Sequence, residues 1–296
     1  MKIRIISIIQ IFLTAFLMIG SQIELFSQEA DSVSVKRPGL FVGVCLGPSQ
    51  SHILNEGILS VSNLRSDRQT SFGAGVEIGY FFSKNIGVSS GIGFASYKTQ
   101  LTLRTYQNKF NAIDSENEAY ERQVSGTGIQ EVQKLGFLSI PVCLNIRLPL
   151  NKTFGFYLQT GINLAVPINK KYMSSGTFSF KGYYPAYNVR LENLPAYGFP
   201  DNVKIETGGK LEIKPVCLNA IASAGFDFFV QKRIAVALAA SYSRSLPNIS
   251  AYASPEKFQL SSDVNQVNSL MGGSSKTSVQ SIGVNITLRY FLKERY

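Results

Sequence analysis

Residues 138 to 150 constrain this chain more than any other stretch. Leu138, Ile140, Val142, Leu144, Ile146, Leu148 and Leu150 fall on one parity, and Ser139, Pro141, Cys143, Asn145 and Arg147 on the other. A helix would scatter these residues around its circumference; only a period of two sorts them, so the segment reads as a β-strand. Its apolar face is long enough to cross a lipid bilayer. Alternation does not say which way that face points. A membrane barrel turns its apolar residues outward, whereas a lipocalin-like barrel or a β-sandwich turns them inward.

The same pattern recurs. Phe154, Phe156, Leu158, Ile162, Leu164 and Val166 follow after the short link Asn151-Lys152-Thr153. Phe72 to Phe82 lead through Ser83-Lys84-Asn85 to Ile86–Phe94, and Val216 to Phe228 lead through Gln231-Lys232-Arg233 to Ile234–Tyr242. Leu40–Leu46 and Ile282–Leu292 supply one strand at each end. Between the hairpins lie polar segments at about 48–70, 104–132, 168–213 and 247–277, which read as long loops. Tight turns alternating with long loops are what a two-sided membrane environment produces. Closure of the sheet satisfies every strand's hydrogen bonds in lipid. The expected fold is all-β: an eight-stranded antiparallel up-and-down transmembrane β-barrel over residues 38–296, with both termini periplasmic and four long extracellular loops. Tyr80, Tyr242 and Tyr290 stand near the ends of apolar faces, where an aromatic girdle belongs.

Residues 1–27 place Lys2 and Arg4 ahead of an apolar run that ends near the polar Ser27-Gln28-Glu29, the layout of a signal peptide, with 28–37 as a short extension. Beyond it no window has the roughly 18 to 20 apolar residues that a helical span requires. Three cysteines, Cys45, Cys143 and Cys217, have no metal-ligand or redox spacing and read as small apolar fillers, so neither metal nor cofactor is expected. The net charge of +10 suits outer-membrane lipids and lipopolysaccharide phosphates, and an exported protein has little access to nucleic acid. Lys84, Lys152, Lys232, Arg233, Lys293 and Arg295 mark the tight turns and the C-terminus, where they suit phospholipid phosphates.

The segment Leu135-Gly136-Phe137-Leu138-Ser139-Ile140-Pro141-Val142-Cys143-Leu144-Asn145-Ile146 resembles the outer-membrane β-barrel family common in Bacteroidetes, which includes the PorT-like proteins. Tyr157–Gly161, Ala224–Asp227, Ser241–Ile249 and Leu288–Phe291 are further stretches similar to it. The resemblance covers roughly 38 to 296 and implies an eight-stranded outer-membrane barrel, with a part in type IX secretion for PorT-like members. Its motifs are structural, and Cys143 and the long third loop depart from the family pattern.

If the apolar face meets lipid, Glu77, Arg147, Asp227 and Arg289 point into a lumen only wide enough for side chains to fill. Two acids and two arginines at similar depth are expected to pair, since an unpaired charge there is costly, and to form a structural plug with no open pore. Arginine neighbours would keep both carboxylates ionised and unsuited to giving a proton. His52, the only histidine, sits beside Ser51; it reads as surface, and no catalytic residue is expected. In the third loop Phe178, Phe180, Tyr183, Tyr184, Tyr187, Arg190, Tyr197 and Phe199 form a candidate interaction surface for a protein partner, or a cap packed over the barrel mouth. Deleting 178–200 is expected to leave the barrel folded and to abolish partner capture. The function expected is a non-enzymatic component of an outer-membrane assembly, with type IX secretion as one candidate; the alternatives are a porin-like transporter of small or hydrophobic solutes and a lipid-modifying enzyme.

Overall fold

The computed structural model describes residues 39–58, 64–151, 153–231, 233–252 and 258–292. All of them belong to one unit, Pro38–Lys293. The N-terminal leader and extension, and the turn or terminal residues Lys152, Lys232, Lys293 and Arg295, lie outside the described residues.

The strands are β1 (Leu40–Glu56), β2 (Leu64–Phe81), β3 (Ile86–Ile113), β4 (Ala119–Pro149), β5 (Phe154–Tyr184), β6 (Val189–Glu192), β7 (Val203–Lys210), β8 (Cys217–Gln231), β9 (Ile234–Ser245) and β10 (Lys276–Phe291). Each neighbouring pair is antiparallel. The order β4-β3-β2-β1-β10-β9-β8-β5 closes through a β4–β5 pairing into a ring of eight, while β6 and β7 attach only to upper β5. No described helix is long and apolar enough to cross a membrane.

The direction of the faces, which alternation left open, is fixed by exposure. Leu138, Ile140, Val142 and Leu144 are outward and 40–52% exposed, and Ile162, Leu164, Val166, Val76, Ile78, Ile282, Val284, Ile286 and Leu288 on other strands are 47–55% exposed. Their alternates Ser139, Cys143, Asn145, Arg147, Asn163 and Asn219 are buried in the lumen. Ten residues of β4 at about 3.3 Å each, tilted by about 40°, give a belt about 25 Å tall. Aromatic side chains mark both margins: Tyr80, Phe82 and Tyr290 toward the tight turns, and Phe72, Phe94 and Tyr242 at the other end.

The tight turns close by side-chain caps. Ser83 Oγ accepts from the Asn85 and Ile86 amides at 3.3 and 2.9 Å, and Asn151 Oδ1 accepts from those of Thr153 and Phe154 at 2.9 and 2.7 Å.

At the opposite end the structure corrects the expected loops. β3, β4 and β5 run for 28, 31 and 31 residues, against 15 and 12 for β8 and β9, so most of 104–132 and 168–213 is strand. The second loop shrinks to the turn at 114–118. Segments 48–56 and 64–70 likewise extend β1 and β2. These stretches escape a search for apolar faces because the polarity inverts above the belt. There Leu101, Leu103, Ile129, Phe178 and Phe180 point inward and are at most 1% exposed, while Gln100, Thr102, Gln130 and Thr177 face outward. Register shifts at Thr127/Gln130 and Gly136/Phe137 reset the parity. Asn117, Asn188, Asn193 and Asn202 take positive φ in the turns and links of this upper sheet, a conformation asparagine tolerates.

The fourth loop folds back across the concave side of this sheet. Leu260, Val267 and Leu270 join Leu101, Leu103, Tyr106, Val124, Ile129, Phe178, Phe180 and Ile205 in one core. Below it Ile249 and Met271 meet Ile53, Tyr97, Leu135, Phe137, Leu211, Ile213 and Val279, forming an apolar roof over the ring. The result is a folded head above the belt.

Candidate functional site

The lumen is layered. At the turn end Phe41 stacks near Phe81 and Phe291, with centroids 5.5 and 5.6 Å away, and Phe229 lies 5.5 Å from Phe291. Gly79 makes room for this floor, because a Cβ there would collide with the Phe41 ring. Sequence reading missed the floor; the signal was available, since these phenylalanines occupy the inward parity of strands whose outward faces had been assigned.

Directly above, the four lumen charges meet as two ion pairs. Arg289 Nε lies 2.7 Å from Glu77 Oε1, and Arg147 Nε pairs with Asp227. Arg289 packs its guanidinium over Tyr157 at 4.4 Å, and Arg147 over Phe229 at 4.5 Å. Gln159 bridges the layer: it donates to Ser89 at 3.2 Å and accepts from the Tyr157 hydroxyl at 2.8 Å, and Asn145 donates to Ser89 at 2.8 Å. A void of about 210 Å³ adjoins this layer, bordered by Cys45, Ser49, Ser89, Tyr97, Asn163 and Asn285. Floor, charge layer, void and roof follow one another along the lumen. The three cysteines are free, and no cluster with metal-holding geometry occurs among the described residues.

The aromatic set of the third loop divides. Phe178 and Phe180 lie on the inward face of β5 and are 0% and 1% exposed. Tyr184 and Phe199 are also buried, stacked on or edge-on to Tyr120 at 5.2 and 5.7 Å. Tyr183 is half-buried, with its hydroxyl donating to Asn188 at 3.0 Å. For Phe178, Phe180, Tyr184 and Phe199 the packed alternative holds and the surface one is corrected: the first three lie on the inward face of paired strand β5, and Phe199 is held by a bridge to Leu194 and buried against Tyr120, while Tyr183 is half-buried on the opposite face of β5. Deleting 178–200 would therefore remove part of the head's core. Tyr187, Arg190 and Tyr197 remain on the surface, the tyrosines 60% and 73% exposed. Tyr187 and Tyr184 donate to Glu118 and Asp114 at 2.5 and 3.0 Å, tying the β5–β6 turn to the β3–β4 turn into one tip.

Sequence reading also missed Glu131. It is 0% exposed inside the head, where its carboxylate accepts from Gln133 Nε2 and Ser269 Oγ at 2.7 Å each and from the Leu270 amide at 2.8 Å. Ser269 caps the 3-10 turn Leu270–Gly273, so Glu131 clasps the start of that turn and fastens the fourth loop to β4. Burial pushes its pKa up to about 7.

His52 is buried too, and its Nε2 lies 2.6 Å from Ser66 Oγ rather than at Ser51. Burial, then the Arg68 charge, hold its pKa below the usual value. Asp67 acts on the ring in the opposite sense.

A closed ring with an apolar belt outside and ion pairs within is the reverse of a soluble barrel, and defines a transmembrane β-barrel of the outer membrane. The family model for the outer membrane protein beta-barrel domain matches residues 26–251, and the chain belongs to that family. Similar solved structures include OprG from Pseudomonas aeruginosa, with 12% identity, a TM-score of 0.38 and coverage of 86% of this chain and 98% of that one. Neisserial surface protein A has 8% identity, a TM-score of 0.36 and coverage of 86% and 97%. The outer membrane protease OmpT from Escherichia coli has 10% identity, a TM-score of 0.33 and coverage of 88% and 99%. No curated protein matches the chain.

Proposed function

We propose that this protein is a non-conducting, non-enzymatic barrel that presents its folded head as an interaction module within an outer-membrane assembly. The observation that carries this reading is the division of the molecule: two ion pairs cross the lumen between an aromatic floor and an apolar roof, while three strands continue past the belt to build a head with its own core. Its tip offers Tyr187, Tyr197 and Arg190, the residue types that anchor protein interfaces. The resemblance to the Bacteroidetes barrel family makes the type IX secretion machinery the first assembly to examine. Mild detergent extraction followed by cross-linking and mass spectrometry is the test. A stoichiometric partner of the native chain should be lost from the Tyr187→Ala/Arg190→Ala/Tyr197→Ala variant while the barrel stays folded. A partner retained unchanged would contradict the reading.

A further inference from the structure

Where the polarity of the strands inverts, a row of lysines crosses four neighbouring strands. Lys98 on β3 is directly opposite Lys134 on β4, Lys134 is opposite Lys171 on β5, and Lys171 is opposite Lys210 on β7. All four point outward, because their chain neighbours Tyr97, Thr99, Gln133, Leu135 and Leu211 are buried and Tyr172 packs against the roof. Adjacent strands lie about 4.8 Å apart, so the row is about 15 Å wide. It stands four positions above the last outward apolar residues of β3 and β4, Phe94 and Leu138. At strand rise and tilt that is about 10 Å, and lysine stems reach back toward the belt, which brings the ammonium groups to headgroup depth.

Like charges directly opposite one another destabilise a sheet. Here three consecutive pairs are alike, and none of the four side chains forms an ion pair among the described residues. Anions supplied from outside the chain would relieve this repulsion. The occupant must also cover the apolar belt immediately beneath. A molecule with phosphates above and acyl chains below meets both demands, and a row this wide suits more than one phosphate. Zwitterionic phospholipids bring cations of their own to the same depth and compensate poorly.

We propose that Lys98, Lys134, Lys171 and Lys210 form a binding ridge for the phosphates of an outer-leaflet glycolipid of the lipopolysaccharide class, whose acyl chains lie on the belt below. This rests on the membrane placement alone and is independent of what the head binds.

The test uses the full chain in neutral detergent, with bis-phosphorylated lipid A and its dephosphorylated form as probes. Binding of the phosphorylated form should fall about tenfold or more in the K98Q/K134Q/K171Q/K210Q variant, and change by less than about twofold in K204Q/K276Q, which loses charge elsewhere on the head. The arginine version of the quadruple variant should retain binding. Dephosphorylated lipid A should bind the native chain as weakly as the phosphorylated form binds the glutamine variant. Heat-shifted gel mobility verifies folding, and should the glutamine variant not fold, the native chain decides: its binding must weaken as salt screens the ridge. Undiminished binding by the folded glutamine variant, equal binding of the dephosphorylated lipid, or salt-independent binding by the native chain would overturn the proposal. So would equally tight binding of inorganic phosphate, which would make free phosphate the ligand.

Discussion

The lower and upper halves of β3, β4 and β5 are continuous strands built on opposite rules. In the lower half Leu138, Ile140 and Val142 face outward, while Asn145 and Arg147 face a polar, charged lumen. In the upper half Leu101, Ile129 and Phe178 face inward, while Gln100, Gln130 and Thr177 face outward. The solvent outside decides which rule applies: hydrocarbon accepts no uncompensated polar group, and water favours burying the apolar ones. The halves also treat buried acids differently. Glu77 and Asp227 each have an arginine, whereas Glu131 has only neutral donors, which supply hydrogen bonds without a compensating charge.

The largest effect should come from breaking the lower rule. Arg289→Ala leaves Glu77 buried without its cation and is expected to destabilise the barrel by about 3–5 kcal/mol, read as an earlier loss of the heat-resistant gel band. Replacing Glu77 and Arg289 together by apolar residues should cost much less; an equal cost would mean that the hydrogen-bonded layer matters more than charge pairing.

Breaking the upper rule should unfold the head and leave the ring closed. Phe178→Ala is expected to cost the head about 3–5 kcal/mol, visible as new protease cleavage in the fourth loop with the heat-resistant band intact. Simultaneous loss of both would show that head and barrel are one cooperative unit.

A smaller effect should follow pH. Glu131 takes up its proton at about 7 when the head is folded and near 4.5 when it is open, so the folded head binds more protons between these values. Its docking is therefore favoured below about 4.5, weakens as pH rises to about 7, and is weaker by about 3 kcal/mol above that. Hydrogen exchange at Leu270 and Met271, corrected for intrinsic rates, should speed up from pH 5 to pH 8. Glu131→Gln should abolish this dependence; the same slope in the variant would assign it elsewhere. At the tip, Tyr197→Ala should change stability by less than about 0.5 kcal/mol in thermal unfolding.

The ring was legible in the sequence because lipid imposes one long apolar parity on every strand, as on Leu138–Leu150. The acid–arginine pairing could be anticipated from depth alone, since Glu77, Arg147, Asp227 and Arg289 share the turn-side end of the inward parity. The head was not legible. Its strands keep a period of two, but Leu101, Leu103 and Phe178 take the parity that is polar below, and bulges beside Gly128 and Gly136 interrupt the count. Without the fourth loop in place, nothing distinguishes Phe178 buried in a core from Phe178 offered to a partner. Glu131 was invisible for the same reason: its donors at Ser269 and Leu270 stand 138 and 139 residues away.

Conductance across a planar bilayer tests the central claim, a lumen closed by its own side chains beneath a folded head. The purified full chain should insert in its heat-resistant folded form and show no steady current steps. Sustained steps of porin size from that same folded species would mean that the floor, ion pairs and roof do not close the lumen, and would contradict the account.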